Sequence, residues 1–82
     1  MVSYERFMKT FSRILEQDGV VRVTAGNKTY DADYFERLPG KVKGHSRPRL
    51  QLTFRGKEVA RISLQWNVQL GRSPMYRLKR EG

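Results

Sequence analysis

The sequence predicts an α+β fold, an N-terminal amphipathic helix packed on a curved four- to five-stranded antiparallel sheet or small barrel. Two observations predict it. The first residues carry apolar side chains at helical spacing. Later the period changes to two, most clearly from residue 60 to 70. There Ala60, Ile62, Leu64, Trp66, Val68 and Leu70 alternate with Arg61, Ser63, Gln65, Asn67 and Gln69. A helix would scatter these side chains around its circumference, whereas a strand places the apolar set on one face. A chain of 82 residues has room for one core, so residues 1–82 read as a single domain.

The helix is expected over residues 3–18. Tyr4, Phe7, Met8, Phe11, Ile14 and Leu15 follow the i, i+3, i+4, i+7 spacing, and Arg6, Lys9, Arg13 and Glu16 fall outside that stripe. Ser3 can accept a backbone N–H of the first turn. Gly19 suits a left-handed C-terminal cap. Such a helix is the lid for the sheet.

Strands at about 20–25 and 29–35 form a hairpin around Gly26-Asn27. A tight turn there sets Val23 against Tyr30, Val21 against Ala32, Arg22 against Asp31 and Thr24 against Thr29, all compatible pairs. Strict alternation then places Tyr30, Ala32 and Tyr34 on the apolar side. Phe35 falls on the polar side, where an exposed ring could stack on a base. Asp31, Asp33 and Glu36 form an acidic trio that could hold Mg²⁺. Pairing with Arg22 explains the acids better, and no metal site is assigned.

Residues 36–48 have no period and contain two prolines and two glycines, so they read as a loop. Lys41, Lys43, Arg47 and Arg49 follow one another with no acid between them. The next strand, 49–54, carries Leu50, Leu52 and Phe54 on one side. A three-residue turn, Arg55-Gly56-Lys57, keeps Leu52 beside Ala60 and Leu50 beside Ile62. Strand 58–70 is longer than usual, so it bends or serves two partners. Gly71 to Pro74 read as a turn, and 75–79 as a last strand returning beside it. One helix followed by five bent strands resembles the element order of Sm-like proteins. No stretch matches a Sm sequence motif, so no residue role follows from that resemblance.

Charge is the strongest functional signal. Residues 1–40 hold six Lys/Arg and six Asp/Glu and are neutral. The remaining 11 basic and 2 acidic residues lie in 41–82, which therefore carry the entire net charge of +9. A basic excess confined to one part of a small domain favours a polyanion. The function expected is a small basic nucleic-acid-binding protein, for DNA or RNA. Its phosphate contacts come from Lys41, Lys43, His45, Arg47 and Arg49 in the loop and from Arg72, Arg77, Lys79 and Arg80 near the C-terminus. Gln65 and Asn67 offer amides to bases. The alternative is a protein-interaction module or inhibitor docking on an acidic surface of a larger protein.

An enzyme is not expected. Nucleophilic catalysis needs a base and an orienting group around Ser or Thr, and His45 beside Ser46 does not supply that geometry. A metal-independent ribonuclease would have to use His45, Arg47, Arg49 and Tyr76. The chain has no cysteine and one histidine, which rules out disulfides and supplies no zinc set. No cofactor is implied. The charged N-terminal stretch is neither a signal peptide nor a membrane span, so a soluble cytoplasmic protein is expected. Trp66 belongs with the apolar side of its strand. Trp66→Ala is expected to cost about 3–5 kcal/mol in chemical denaturation. An indole emission maximum of fully water-exposed tryptophan in the folded protein would place Trp66 on the other side.

Overall fold

Ser3 starts the helix as its spacing predicts, its Oγ accepting the Arg6 N–H at 3.2 Å. Helix α1 runs Tyr4–Asp18 and ends on Gly19, whose φ of 79° lets its N–H reach the Leu15 carbonyl at 2.7 Å. The computed structural model describes residues 3–38, 49–64 and 67–74. After α1 come β1 (Val21–Ala25), β2 (Lys28–Ala32), β3 (Tyr34–Leu38), β4 (Arg49–Phe54), β5 (Lys57–Ser63) and β6 (Val68–Arg72). The fold is α+β, one helix on two three-stranded antiparallel sheets of order β2-β1-β6 and β3-β4-β5. Among the described residues the strands do not form one curved sheet or close a barrel. The physical reason is that two of the expected strands each break in two.

The first break is at Asp33. Residues 29–35 are not one strand, because β2 pairs with β1 and β3 pairs with β4. Asp33 is held between them from both ends. Its N–H donates to the Thr53 carbonyl at 2.9 Å, and its Oδ2 accepts the Arg55 N–H at 3.1 Å. The bend resets the alternation by one residue. Ala32 is buried, Tyr34 is 57% exposed, and Phe35 turns inward. Both aromatic assignments from strict alternation are therefore reversed. Phe35 sits edge-on to Phe7 (5.1 Å, 87°), Phe11 (4.8 Å, 71°) and Tyr4 (6.2 Å, 74°). This is the geometry that aromatic quadrupoles favour. Residues 36–38, expected in the loop, belong to β3, and the rest of the expected loop, 39–48, lies outside the described residues.

The second break divides residues 58–70. β5 pairs with β4, and β6 pairs with β1 through Val23↔Leu70 and Ala25↔Val68. The long strand thus serves two partners in two sheets. Gly71 and Arg72 are strand residues of β6 rather than part of a turn. Among the described residues the neighbour of 68–72 is β1. The expected strand 75–79 lies outside the described residues, as does Trp66.

The hairpin registers follow the side-chain pairing. Val21↔Ala32, Arg22↔Asp31, Val23↔Tyr30 and Thr24↔Thr29 are opposite each other. Gly26, at φ 65°, supplies the positive φ of a two-residue turn. In β4–β5, Leu52↔Ala60 and Leu50↔Ile62 are also paired, but not through a three-residue turn. Phe54↔Lys57 closes a two-residue turn, and a register shift between Leu52 and Thr53 takes up the extra residue, leaving Val59 39% exposed. Arg55 and Gly56 both have positive φ, 51° and 82°. This is unfavourable for arginine, and the Asp33 carboxylate on its N–H offsets the cost.

The core gathers Phe7, Phe11 and Ile14 of α1 with Val21, Val23 and Ala25 of β1, and with Leu50, Leu52, Ile62 and Leu64. No helix among the described residues is long and apolar enough to cross a membrane. Phe35→Ala is expected to cost about 3–5 kcal/mol. Tyr34→Ala should stay within about 0.5 kcal/mol of the wild type. Urea denaturation of the two variants checks this, and equal effects would contradict the reset at Asp33.

Candidate functional site

Of the residues expected to contact phosphate or bases, four lie among those described: Arg49, Asn67, Arg72 and Phe35, whose ring packs on the core instead. The others, Lys41, Lys43, His45, Arg47, Gln65, Arg77, Lys79 and Arg80, lie outside them. Arg49 opens β4, is exposed, and faces Leu38 on one side and Ser63 on the other. Asn67 is exposed, and its carbonyl accepts the Gly26 N–H at 2.9 Å, which ties the β1–β2 turn to the start of β6.

Arg72 has a structural task. Its Nε and Nη2 donate to Asp18 Oδ2 and Oδ1 at 2.9 and 3.2 Å. Asp18 is 1% exposed and ends α1, whose last turn contains no base. Helix carbonyls make that end negative, so a carboxylate there needs a cation from elsewhere. Arg72 supplies it across 54 residues of sequence. The forked guanidinium matches both carboxylate oxygens. Its charge is therefore offset within the fold.

The acids behave likewise. Asp31 meets Arg22 at 3.4 Å, and Asp33 holds the Arg55 N–H. No group of three metal-ligating side chains occurs among the described residues.

Two cationic recesses emerge that the sequence reading did not assign. The first is a groove of about 450 Å³ where α1 lies beside β6, lined by Arg6, Thr10 and Arg13 on one wall and by Val68, Gln69 and Leu70 on the other. Arg6 and Arg13 are seven residues apart, so they stand about 10 Å apart along the helix axis. Among the described residues neither meets an acid. Their spacing around Thr10 is visible in the sequence. What that spacing could not reveal is that β6 runs along this flank, because the pairing of β6 with β1 sets it there.

The second recess, of about 540 Å³, lies at the β1–β2 turn and is lined by Ala25, Gly26, Asn27, Lys28, Tyr30 and Arg61. It joins the two sheets, since Arg61 belongs to β5 and the others to the hairpin. Tyr30 is half-buried against the core. Arg61 pairs with Glu58 at 3.1 Å, and both are largely exposed. The sequence hides this site because Tyr30 reads as an ordinary core position of an alternating strand.

Comparison with protein-family models, curated proteins and solved structures gave no match to this chain.

The basic residues thus divide into those that hold the fold and those that leave it unaffected. Arg72→Ala would strand the buried Asp18 carboxylate and is expected to destabilise by about 2–3 kcal/mol. Arg49→Ala should change stability by less than about 0.5 kcal/mol. Thermal melts of both variants test the division, and a neutral Arg72→Ala would release that arginine for ligand contact.

Proposed function

We propose that the protein is a small basic nucleic-acid-binding protein that holds the phosphate backbone and performs no chemistry on it. The observation that carries this reading is the segregation of charge: all of the net +9 lies in residues 41–82. Lys41, Lys43 and Arg47 stand in a stretch with no acid. Leu38 and Arg49, which flank it, are opposite each other in the β3–β4 ladder. The two ends of this stretch are therefore held at one place. Arg49 stands at that place. Lys/Arg contacts to phosphate give affinity with little sequence choice. Arg77, Lys79 and Arg80 follow the end of β6 in sequence and add a second basic cluster, and the amides of Gln65 and Asn67 suit base contacts. Arg6 and Arg13, which no described acid neutralises, extend the positive surface along α1.

An acidic protein segment is the second reading. What favours it is the edge of β6: among the described residues β6 pairs only with β1, and its other side borders the groove with Arg6 and Arg13. An extended acidic segment could add to such an edge.

A salt titration of oligonucleotide binding by fluorescence anisotropy tests the first reading. Log K should fall with log[salt] by about 0.9 per contact on duplex DNA and about 0.7 on single strands. Replacing Lys41, Lys43 and Arg47 together with Ala should flatten that slope by about two to three units while circular dichroism stays unchanged. An unchanged slope with intact fold would move the contacts to the C-terminal cluster or the α1 flank. No binding by the wild type at low salt would favour the acidic protein partner.

A further inference from the structure

We infer that the recess at the β1–β2 turn receives one unstacked nucleotide, its base against Tyr30 and its phosphate between Lys28 and Arg61, so that the protein selects single strands over duplex. This rests on the nucleic-acid reading above and adds to it a subsite and a strand preference. Four observations support it.

First, the recess combines an aromatic ring with two cations, and among the described residues no acid lines it. Its volume of about 540 Å³ falls in the range of small-ligand pockets, roughly 300–1,000 Å³. Secondly, the ring is pre-positioned. Tyr30 stands opposite Val23 in the ladder, packs on the core and lines the recess, so little freedom is lost when a base stacks on it there. Lys28 is two residues before Tyr30 and shares its face of β2.

Thirdly, both cations are available to a phosphate. Lys28 is exposed and meets no acid among the described residues. Among the described residues Arg61 pairs with the exposed Glu58, a kind of pair that contributes little and yields to a stronger anion. Finally, the approach is open. Gly26 has no side chain, and a Cβ built there would meet none of the described residues within 4 Å. The Asn27 amide beside it offers a donor and an acceptor to a base edge. In a duplex both faces of each base are covered by its neighbours. Only an unpaired, unstacked base can lie on Tyr30.

The test uses the full chain. Anisotropy titrations compare a single-stranded oligonucleotide with its own duplex at one salt concentration. Amide NMR spectra are recorded with adenosine monophosphate and with inorganic phosphate. The single strand should bind about tenfold more tightly than the duplex. Tyr30→Leu should remove most of that advantage and leave duplex binding in place, whereas Tyr30→Phe should keep it. If Tyr30→Leu fails to fold, Lys28→Ala, on an exposed side chain, should still weaken single-strand binding severalfold. Adenosine monophosphate should shift the amides of Asn27, Lys28, Tyr30 and Arg61 more than inorganic phosphate does. Equal affinity for both strand states, with nucleotide shifts elsewhere, would overturn the subsite and leave the nucleic-acid reading standing. Absence of binding to every oligonucleotide at low salt would overturn both.

Discussion

At Asp33 the chain passes from one sheet to the other, and most of the remaining architecture depends on how that passage is held. The residue is fixed by its own N–H on the Thr53 carbonyl and by its carboxylate on the Arg55 N–H. The first bond starts the β3–β4 ladder. The second steadies a turn whose arginine has an unfavourable positive φ. One side chain thus joins the start of β3 to the β4–β5 turn. Because the bend shifts the alternation by one residue, it also sends Phe35 inward and Tyr34 outward. Without that shift the helix would lose the ring on which Tyr4, Phe7 and Phe11 converge.

A second long-range constraint acts at the other end of α1. Asp18 is nearly fully buried at the negative end of the helix, and the fork of Arg72 makes that position tolerable. The pair joins the first element to the last strand described. It also shows how a basic residue can be mistaken for a ligand contact. In the sequence, Arg72 belongs to a positive C-terminal cluster. In the fold it answers an acid 54 residues earlier.

The surface that results is divided in its electrostatics. Arg22, Asp31, Asp18 and Arg72 cancel one another within the fold. Arg6, Arg13, Lys28 and Arg49 meet no acid among the described residues. These uncompensated cations lie on a helix flank, at the β1–β2 turn and at the end of the β3–β4 ladder. The proposed polyanion reading draws on this distribution, in which the positive contacts are several and separated.

The sequence alone determined whatever depends on near neighbours. Helix α1 and its two caps, the Val23↔Tyr30 register and the Leu52↔Ala60 match all follow from local spacing and cross-strand chemistry. The charge asymmetry that carries the functional reading is likewise a property of composition. Only the tertiary structure decided where alternation stops. Asp33 bends because Thr53 and Arg55 lie beside it, and residues 58–70 divide because one half finds β4 and the other β1. Of these partners only β4 is close in sequence, through the two-residue turn that leads into β5. For the same reason the turn after β4 could be two residues long and still preserve the apolar match, since the bulge absorbs the difference. The recess at Tyr30 is tertiary as well: its second cation, Arg61, comes from the opposite sheet, and no pattern within one strand could place it there.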